Sequence, residues 1–558
     1  MATIAKVAGF AFLDLPPETV THILLHLPFT SVVTCKGVNR HLQILISESA
    51  ELQYHIHLGI YRLVDNPHCH LPVSERLSQL LARECRWEKL DFDFDRTINI
   101  PIPDLWAGSR LSGSVFSILY DGGVLYEMQI PNEADQETVW NKAHPEQLVE
   151  TISVYEQDLH VLITAQPRTV LTNEAGPRTI HEIRFHISRL STGEPHPDSQ
   201  QVISFETREE FGMLWAVMEC AGDNLVLVLR DDEGVHPNDA GAHGPDDQVY
   251  VYEWKTGKLK MLSAPFGSYH YPLILTSHIF LLPNTRTGEL EYWRIPQNLS
   301  EPTSGQPFFI LSLPRLCLNK FFGHIFCRAE YNPSIGPCIT SKPFYTNPHH
   351  AIVIFHVTIQ MTDFPLDLTS LTFFVHRSSL VGCLDKFSAF MSSDERPNSV
   401  PYDDWGVHVC RWLEPADFPL HVLPSTFGQR YVTSPKWMEP LTLLDFNPLG
   451  VKRALTTEKH HDLIYEPQFH AQAIIQTLDS LGDPHHCFEH TVYSSLPYTV
   501  RSSHNEYYFD RLFMDEECIL GFQVPTHLLA VFTWTNITHA PQRGDWNRMN
   551  RVRVLHCG

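Results

Sequence analysis

The chain lacks most of the features that announce a chemistry. Its 12 cysteines run from Cys35 to Cys557 with no Cys-x-x-Cys pair among them. That usage fits reduced, mostly buried thiols in the cytosol or nucleus. No apolar run is long enough to span a bilayer. The run Val7 to Leu13, with Lys6 before it, is ended by Asp14, Pro16 and Pro17 before any signal-peptide pattern is complete. Basic residues are scarce: 41 Lys+Arg face 64 Asp+Glu, a formal charge of −23. Such a chain repels phosphate backbones, and it has no long Lys/Arg run; three arginines between Gly544 and Arg553 are the nearest approach. Gly-x-Ser-x-Gly, Gly-x4-Gly-Lys-Ser/Thr and Gly-x-Gly-x-x-Gly are all absent, so no sequence motif points to a serine hydrolase, a P-loop or a dinucleotide site. The expectation is a protein of the cytoplasm or nucleus, without nucleic-acid or membrane partners. Two glycosylation sequons, at Asn298 and Asn536, then read as chance matches.

What is present is a folded composition. Hydrophobic residues make up 43% of the 558 and charged residues 19%, enough to bury a sizeable core. The length exceeds one ordinary domain and fits two to four, or one large repeat domain plus a small one.

The first hundred residues are helical in pattern. Leu15-Pro16-Pro17-Glu18 opens a helix that Asp14 can cap, with prolines tolerated in the first turn. Val20, Ile23, Leu24 and Leu27 follow at helical spacing, and Pro28 ends the run. Ser31 can cap a second helix carrying Val32, Cys35 and Val38; a third carries Leu42, Leu45 and Ile46. Further on, Ser74 can cap a helix with a stripe of Leu77, Leu80, Leu81, Arg83 by its stem, Cys85 and Trp87. Three helices this short cannot bury a good core alone, so the pattern by itself equally suits a small subdomain packed on the rest.

The residue types sharpen this. Leu15-Pro16-x-Glu18-x-Val20-x-x-Ile23-Leu24-x-x-Leu27, then Cys35-x-x-Val38-Asn39-Arg40-x-Leu42-x-x-Leu45-Ile46, resembles the F-box family. Leu42 stands where the family often has Trp, an exchange of one hydrophobe for another. Leu52-Gln53-Tyr54, Val64-Asp65-Asn66-Pro67 and Glu75-Arg76-Leu77 through Trp87-x-x-Leu90-Asp91-Phe92 look like the segment after the F-box in a large fungal group of F-box proteins. The resemblance implies docking on a Skp-type adaptor, and through it on a cullin ligase. The carried-over contacts are Leu15, Pro16, Val20, Ile23, Leu27, Val32 and Val38. Some of these must instead form the module's own core, and spacing does not separate the two sets.

After Phe92 the pattern becomes that of strands and turns. Val115 to Tyr120 and Val124 to Gln129 flank Asp121-Gly122-Gly123, a hairpin signal. Val154-Tyr155 and Leu159 to Ile163 flank Gln157-Asp158. Leu225 to Leu229 follows Gly222-Asp223. Ile183 to Leu190 runs into Ser191-Thr192-Gly193, Gln248 to Trp254 into Lys255-Thr256-Gly257, and Ile279 to Leu282 into Thr285-Arg286-Thr287-Gly288 before Leu290 to Ile295. Ala351 to Val357, Leu371 to His376, Gly406 to Trp412, Leu441 to Phe446, Ile519 to Val524 and Leu528 to Trp534 continue the series. Val251 to Gly257 looks like the third strand of a WD-type blade, and Asp231 to Gln248 like an exposed insert. The reading is an α+β multidomain chain: an F-box at 1–50, a helical linker at 51–95, and an all-β domain at 96–558 that binds a protein target. A β-propeller of six to eight blades fits best; a pair of β-sandwiches is the alternative.

The 33 histidines invite a metal search. His181-Glu182-Ile183-Arg184-Phe185-His186 has one residue too many for His-Glu-x-x-His and sits on strand-like sequence, where residues five apart point to opposite faces. His485-His486-Cys487-x-x-His490 offers ligands on a loop but has no second cluster to complete a zinc site; His68-Cys69-His70 and His460-His461 read likewise. No metal, cofactor or catalytic residue is expected. The competing readings are a propeller hydrolase or metal-dependent enzyme with a helical appendage, and an F-box scaffold that does not support ubiquitin transfer. Histidine richness suggests binding that changes near pH 6.

Overall fold

The computed structural model describes residues 12, 15–100, 109–120, 124–143, 147–172, 176–200, 202–207, 211, 214–231, 247–264, 268–297, 301–330, 333, 342–362, 368–391, 396–413, 426–433, 440–458, 472–474, 479–481, 486–507, 509, 511–523 and 551–557. Asp14, the Asp121-Gly122-Gly123 turn, most of the Asp231 to Gln248 insert, both sequons, His460, His461, His485 and the Leu528 to Trp534 run lie outside the described residues. The chain falls into two compact units: Met1–Glu88 with Ser341–Asn347, and Lys89–Thr340 with Pro348–Gly558.

The first unit is helical. α1 (Pro17–Leu25) starts with proline at its first position, where the missing N–H costs nothing, and Pro16 holds the cap position without a side-chain bond. α2 (Phe29–Lys36) begins directly after Pro28. Ser31 therefore lies inside that helix rather than capping it: Pro28 both breaks one helix and presets the entry to the next. α3 (Arg40–Glu48) is capped by Asn39, whose side chain accepts from the Leu42 N–H. α4 (Ala50–Tyr61) is capped by Ser49 in the same way. Val20, Leu24, Val32, Leu42 and Ile46 bury against Leu52 and Ile56 of α4. The fourth helix thus supplies the apolar surface that three short helices lack.

α5 (Val73–Lys89) starts at Val73, so Ser74 falls in its first turn and not at its cap. Its buried face is Leu80, Arg83, Glu84 and Trp87; Leu81 and Cys85 are exposed. Glu84 replaces them inside because it pairs with Arg83 at 3.0 Å, and a buried charge persists only when paired. The unit is completed from far along the chain. Leu63–Asp65 pairs antiparallel with Phe344–Thr346, and Phe344 buries against Tyr54, Leu58 and Leu80.

The second unit is built of antiparallel sheets that follow one another along the chain. Among the described residues, seven sheets have four or five strands. The first holds Ser109–Ser112, Val115–Tyr120, Val124–Gln129 and Trp140–Ala143; the second Leu148–Val154, Leu159–Thr172, Gly176–Arg189 and Ser204–Glu206. The third holds Leu214–Ala221, Asn224–Asp231, Gln248–Glu253 and Lys258–Ser263. The fourth is Leu273–Thr276, Ile279–Asn284, Glu289–Arg294 and Phe309–Ser312, with Ser399–Val400 added in parallel. The fifth is Lys320–Arg328, Ile352–Met361, Leu368–His376 and Cys410–Leu413. The sixth is Thr426–Phe427, Arg430–Thr433, Pro440–Asp445, Tyr498–Glu506 and Gln472–Ile474. The seventh joins Arg511–Met514, Cys518–Gln523 and Arg551–His556 to Phe94–Asn99 from the start of the unit.

Each sheet packs on the next. Ile152, Val161, Ile163 and Phe185 meet Ala216, Met218, Leu225 and Leu227 between the second and third. Val217, Val226 and Val228 use the other face of the third sheet to meet Phe280, Leu282 and Trp293 of the fourth. Leu281 and Tyr292 meet Phe355 and Phe373 across the fourth and fifth, and Phe374 meets Tyr431 and Leu444 across the fifth and sixth. The sixth and seventh are in contact, Phe513 and Phe522 of the seventh pack on Phe116 of the first, and Ser112 of the first donates to Ser153 O of the second at 2.8 Å. The packing closes a ring, and the last sheet is completed by the unit's first strand. Among the described residues that makes a β-propeller of seven blades, and it removes the sandwich alternative. Because a blade is covered on both faces, its strands read as continuous apolar runs rather than alternating ones, as in Leu225 to Leu229.

The recurring Thr-Gly turns do what their chemistry requires: Gly257 and Gly288 stand at φ +72° and +67°, a region open to glycine. Gly257 joins the third and fourth strands of its sheet, as the WD-type reading of Val251 to Gly257 expects, but Gly288 joins the second and third of the next. Gly406 to Val409 is a turn after the short helix Tyr402–Trp405, so that strand starts at Cys410, four residues later than the apolar run suggests.

Candidate functional site

The seven side chains carried over from the F-box pattern separate into three groups. Val20 and Val32 are 1% and 0% exposed and belong to the helical core. Leu15 and Leu27 are half-buried against that core. Pro16, Ile23 (39% exposed) and Val38 (67%) stand in solvent. Sequence reasoning missed two others: Val33 on α2 and Ile44 on α3 are also exposed. Single exposed aliphatics are ordinary, but Ile23, Val33, Val38 and Ile44 all fall within the 32 residues from Pro17 to Glu48, on α1 to α3 and the turn between α2 and α3. Helical spacing alone could not have found Val33, because it adjoins Val32 and either could have been the inward one.

A second site lies in the propeller. First strands of neighbouring sheets pack on each other: Leu214–Ala221 on Leu148–Val154 and on Leu273–Thr276, and Arg511–Met514 on both Ser109–Ser112 and Thr426–Phe427. They therefore line the middle of the ring. There a cavity of about 50 Å³ is walled by Arg110 and Ser112, Ser153 and Glu156, Glu219, Tyr271, and Arg328 with Glu330. Its lining is more polar than the blades around it. The signal was one charged residue inside each of several otherwise apolar strands, as Glu219 in Leu214–Ala221 and Glu150 in Leu148–Val154. In sequence these are indistinguishable from residues on a solvated edge.

Arg328 is tied to Glu330 and to the backbone: its Nε and Nη2 donate to Glu330 Oε1 at 2.5 Å each, and Nη2 also donates to Leu111 O. Arg110 donates from Nη1 to Thr151 O at 3.1 Å. Glu150 accepts from the Thr151 N–H at 2.8 Å. The Glu219 carboxylate makes no hydrogen bond among the described residues; it faces Arg110, Glu330, Arg328 and Arg377 at longer range. Glu219 lines the cavity and Glu150 lies beside it, off the wall; both are half-buried. Loss of solvation pushes each up to about 7, against the opposing pull of Arg110. Burial lowers Arg377 to about 10 and raises Tyr271 to about 12. A carboxyl perturbed by burial and facing a cavity, as Glu219 is, makes the cavity a candidate functional site.

The histidine motifs carry no comparable site. His181 and His186 lie on the strand Gly176–Arg189, and His186 bonds Thr164 Oγ1. No group of three or more His, Cys, Asp or Glu side chains among the described residues could hold a metal ion. Among the described residues no helix is long and apolar enough to cross a membrane.

Residues 12–52 match the F-box domain family. No curated protein sequence matches the chain. Solved structures similar to it include BamB from Moraxella catarrhalis, at 8% identity over 77% of this chain and 96% of that one with a TM-score of 0.28. The WD40 domain of coronin from Toxoplasma gondii shows 8% identity over 75% and 89%, TM-score 0.30. The WD40 domain of Pan2 from Neurospora crassa shows 11% over 50% and 88%, TM-score 0.24. At such scores the likenesses add nothing to the sheet topology, on which the fold rests.

Proposed function

From an F-box domain match at residues 12–52 and a β-propeller later in the chain, we propose that this protein is the substrate-receptor subunit of a cullin-based ubiquitin ligase. The observation that carries the reading is the F-box at residues 12–52, with Ile23 on α1, Pro16 just before it and Val38 in the turn between α2 and α3 all exposed. Helices within residues 1–50 dock on a Skp-type adaptor, α4 and α5 brace them, and the propeller, which opens with Phe94–Asn99, holds a protein target. Apolar anchors of this kind concentrate the energy of helix docking in a few positions. Val20 and Val32 act one step back, by fixing the helices that present the anchors.

The chain itself makes and breaks no covalent bond. It works by tethering: a bound target's lysines sit at raised effective concentration beside the charged ubiquitin carrier. The cytoplasm or nucleus is where such a ligase acts. Reconstitution with adaptor, cullin and ubiquitin carrier tests the reading. Transfer to a co-purifying protein that requires the propeller supports it; stable assembly without transfer to any bound protein would make the chain a scaffold.

A further inference from the structure

We infer that the cavity in the middle of the propeller is a binding site for the cationic tip of a basic side chain, the ammonium of a lysine, presented by the target. The inference rests on the reading of the propeller as the target-binding part. Three features support it. The first is an open valence: Glu219 faces the cavity with a carboxylate that no described residue hydrogen-bonds. A carboxylate accepts only, so the missing partner is a donor. The second is charge. Among the residues that line the cavity, Arg110 and Arg328 stand against Glu156, Glu219 and Glu330, two against three when all are ionised, inside a chain of net charge −23. Arg328 is moreover already held by Glu330 and Leu111 O. An anion would meet Glu219 directly and enter against the field of the whole molecule. The third is size. About 50 Å³ is far below the roughly 300 Å³ at which small-molecule pockets begin, and suits the end of one side chain.

Binding of a cation is coupled to ionisation of the carboxyls. Glu150 and Glu219 are each pushed up to about 7 by burial, so both are partly protonated at neutral pH. The cation binds the ionised form and releases protons. Affinity therefore rises with pH through 7 and falls below it. The groups facing them are Arg110 for both, with Arg328, Arg377 and Glu330 for Glu219. Tyr271 beside them is raised to about 12 and Cys220 and Cys327 are raised as well, while lysine stays charged to about pH 10. If one carboxyl must ionise, affinity rises about ten-fold from pH 6 to pH 8, as its ionised fraction grows from about a tenth to about nine-tenths.

The test is ligand-observed NMR titration of the intact protein with the capped pentapeptide Gly-Gly-Lys-Gly-Gly and its Glu counterpart. The expected result is saturation transfer strongest at the lysine Cε protons, affinity rising from pH 6 to pH 8, and at least ten-fold weakening by Glu219→Gln. A Glu peptide that binds instead and depends on Arg110 would overturn the inference, as would lysine binding indifferent to Glu219→Gln or no binding of the lysine peptide at all. Adaptor capture by the same samples keeps the two readings apart: lysine binding without adaptor capture refutes the receptor role and leaves the cavity's chemistry standing, and adaptor capture without lysine binding does the reverse.

Discussion

Removing one ring from the distant strand Phe344–Thr346 should destabilise the N-terminal helices. Phe344 is 4% exposed and packs on Tyr54, Leu58 and Leu80, with the Arg83 guanidinium 4.5 Å from its ring centre. Phe344→Ala loses about 3–5 kcal/mol as a large-to-small core change, and the lost cation–π contact adds about 1 kcal/mol. The backbone around it is tied in as well. Asn66 donates from Nδ2 to Lys342 O at 2.7 Å and from its N–H to Pro343 O at 2.9 Å, and Tyr54 OH bonds Asp65 at 2.9 Å and Pro343 O at 3.2 Å. A helical unit this small has stability of the same order as that loss. Hydrogen exchange of α4 and α5 amides in the intact protein reads it. Protection should collapse in Phe344→Ala while the blade strands keep theirs, and a fragment of residues 1–95 should be largely unfolded until a peptide of residues 341–348 is added. Unchanged protection of α5 in the variant, or a fully folded fragment without the peptide, would refute the reasoning.

Three further outcomes follow from the geometry. Asn39→Ala removes the side-chain cap of α3 at Leu42 and should cost about 1 kcal/mol in urea melts of the helical unit. Gly288→Ala must hold φ +67° and places its Cβ 2.4 Å from Phe322 Cε2, so strain and overpacking together should cost about 2 kcal/mol or more by thermal melting of the propeller. His356 is buried and lowered to about 4 by loss of solvation. Its folded form binds fewer protons than the unfolded one, so stability is complete above about pH 6.5 and is lost as pH falls, reaching ~3 kcal/mol near pH 4; His356→Gln should show a smaller drop in melting temperature between pH 7 and pH 5 than the native chain.

Elements were legible where local chemistry decides them. The proline opening of α1 and the strands Val124–Gln129 and Gln248–Glu253 follow from pattern and turn residues, whereas the cap of α3 at Asn39 emerged only from the structure. Assembly was not legible, for reasons particular residues show. The Thr-Gly turn at Gly257 sits one hairpin later in its blade than the turn at Gly288, so the repeat runs out of phase and the blade number cannot be read from its spacing. The membership of Phe344–Thr346 in the helical unit has no sequence signal, since a three-residue strand carries none. Leu81 and Glu84 exchange places relative to a simple apolar stripe because Arg83 inside needs its partner. Among the adaptor candidates, Val20 and Ile23 lie three residues apart on one helix, and only the packing of α4 decides that the first is core and the second is not.

The most direct measurement is the affinity of a Skp-type adaptor for the intact protein beside Ile23→Asp/Val38→Asp. Both positions are exposed, so the charges leave the helices folded, which circular dichroism checks. Burying each in an apolar groove should cost about 2 kcal/mol, together close to a thousand-fold in Kd. Tight binding by the native chain that the variant loses is the predicted result. No binding by the native chain, or equal binding by both, would contradict the account.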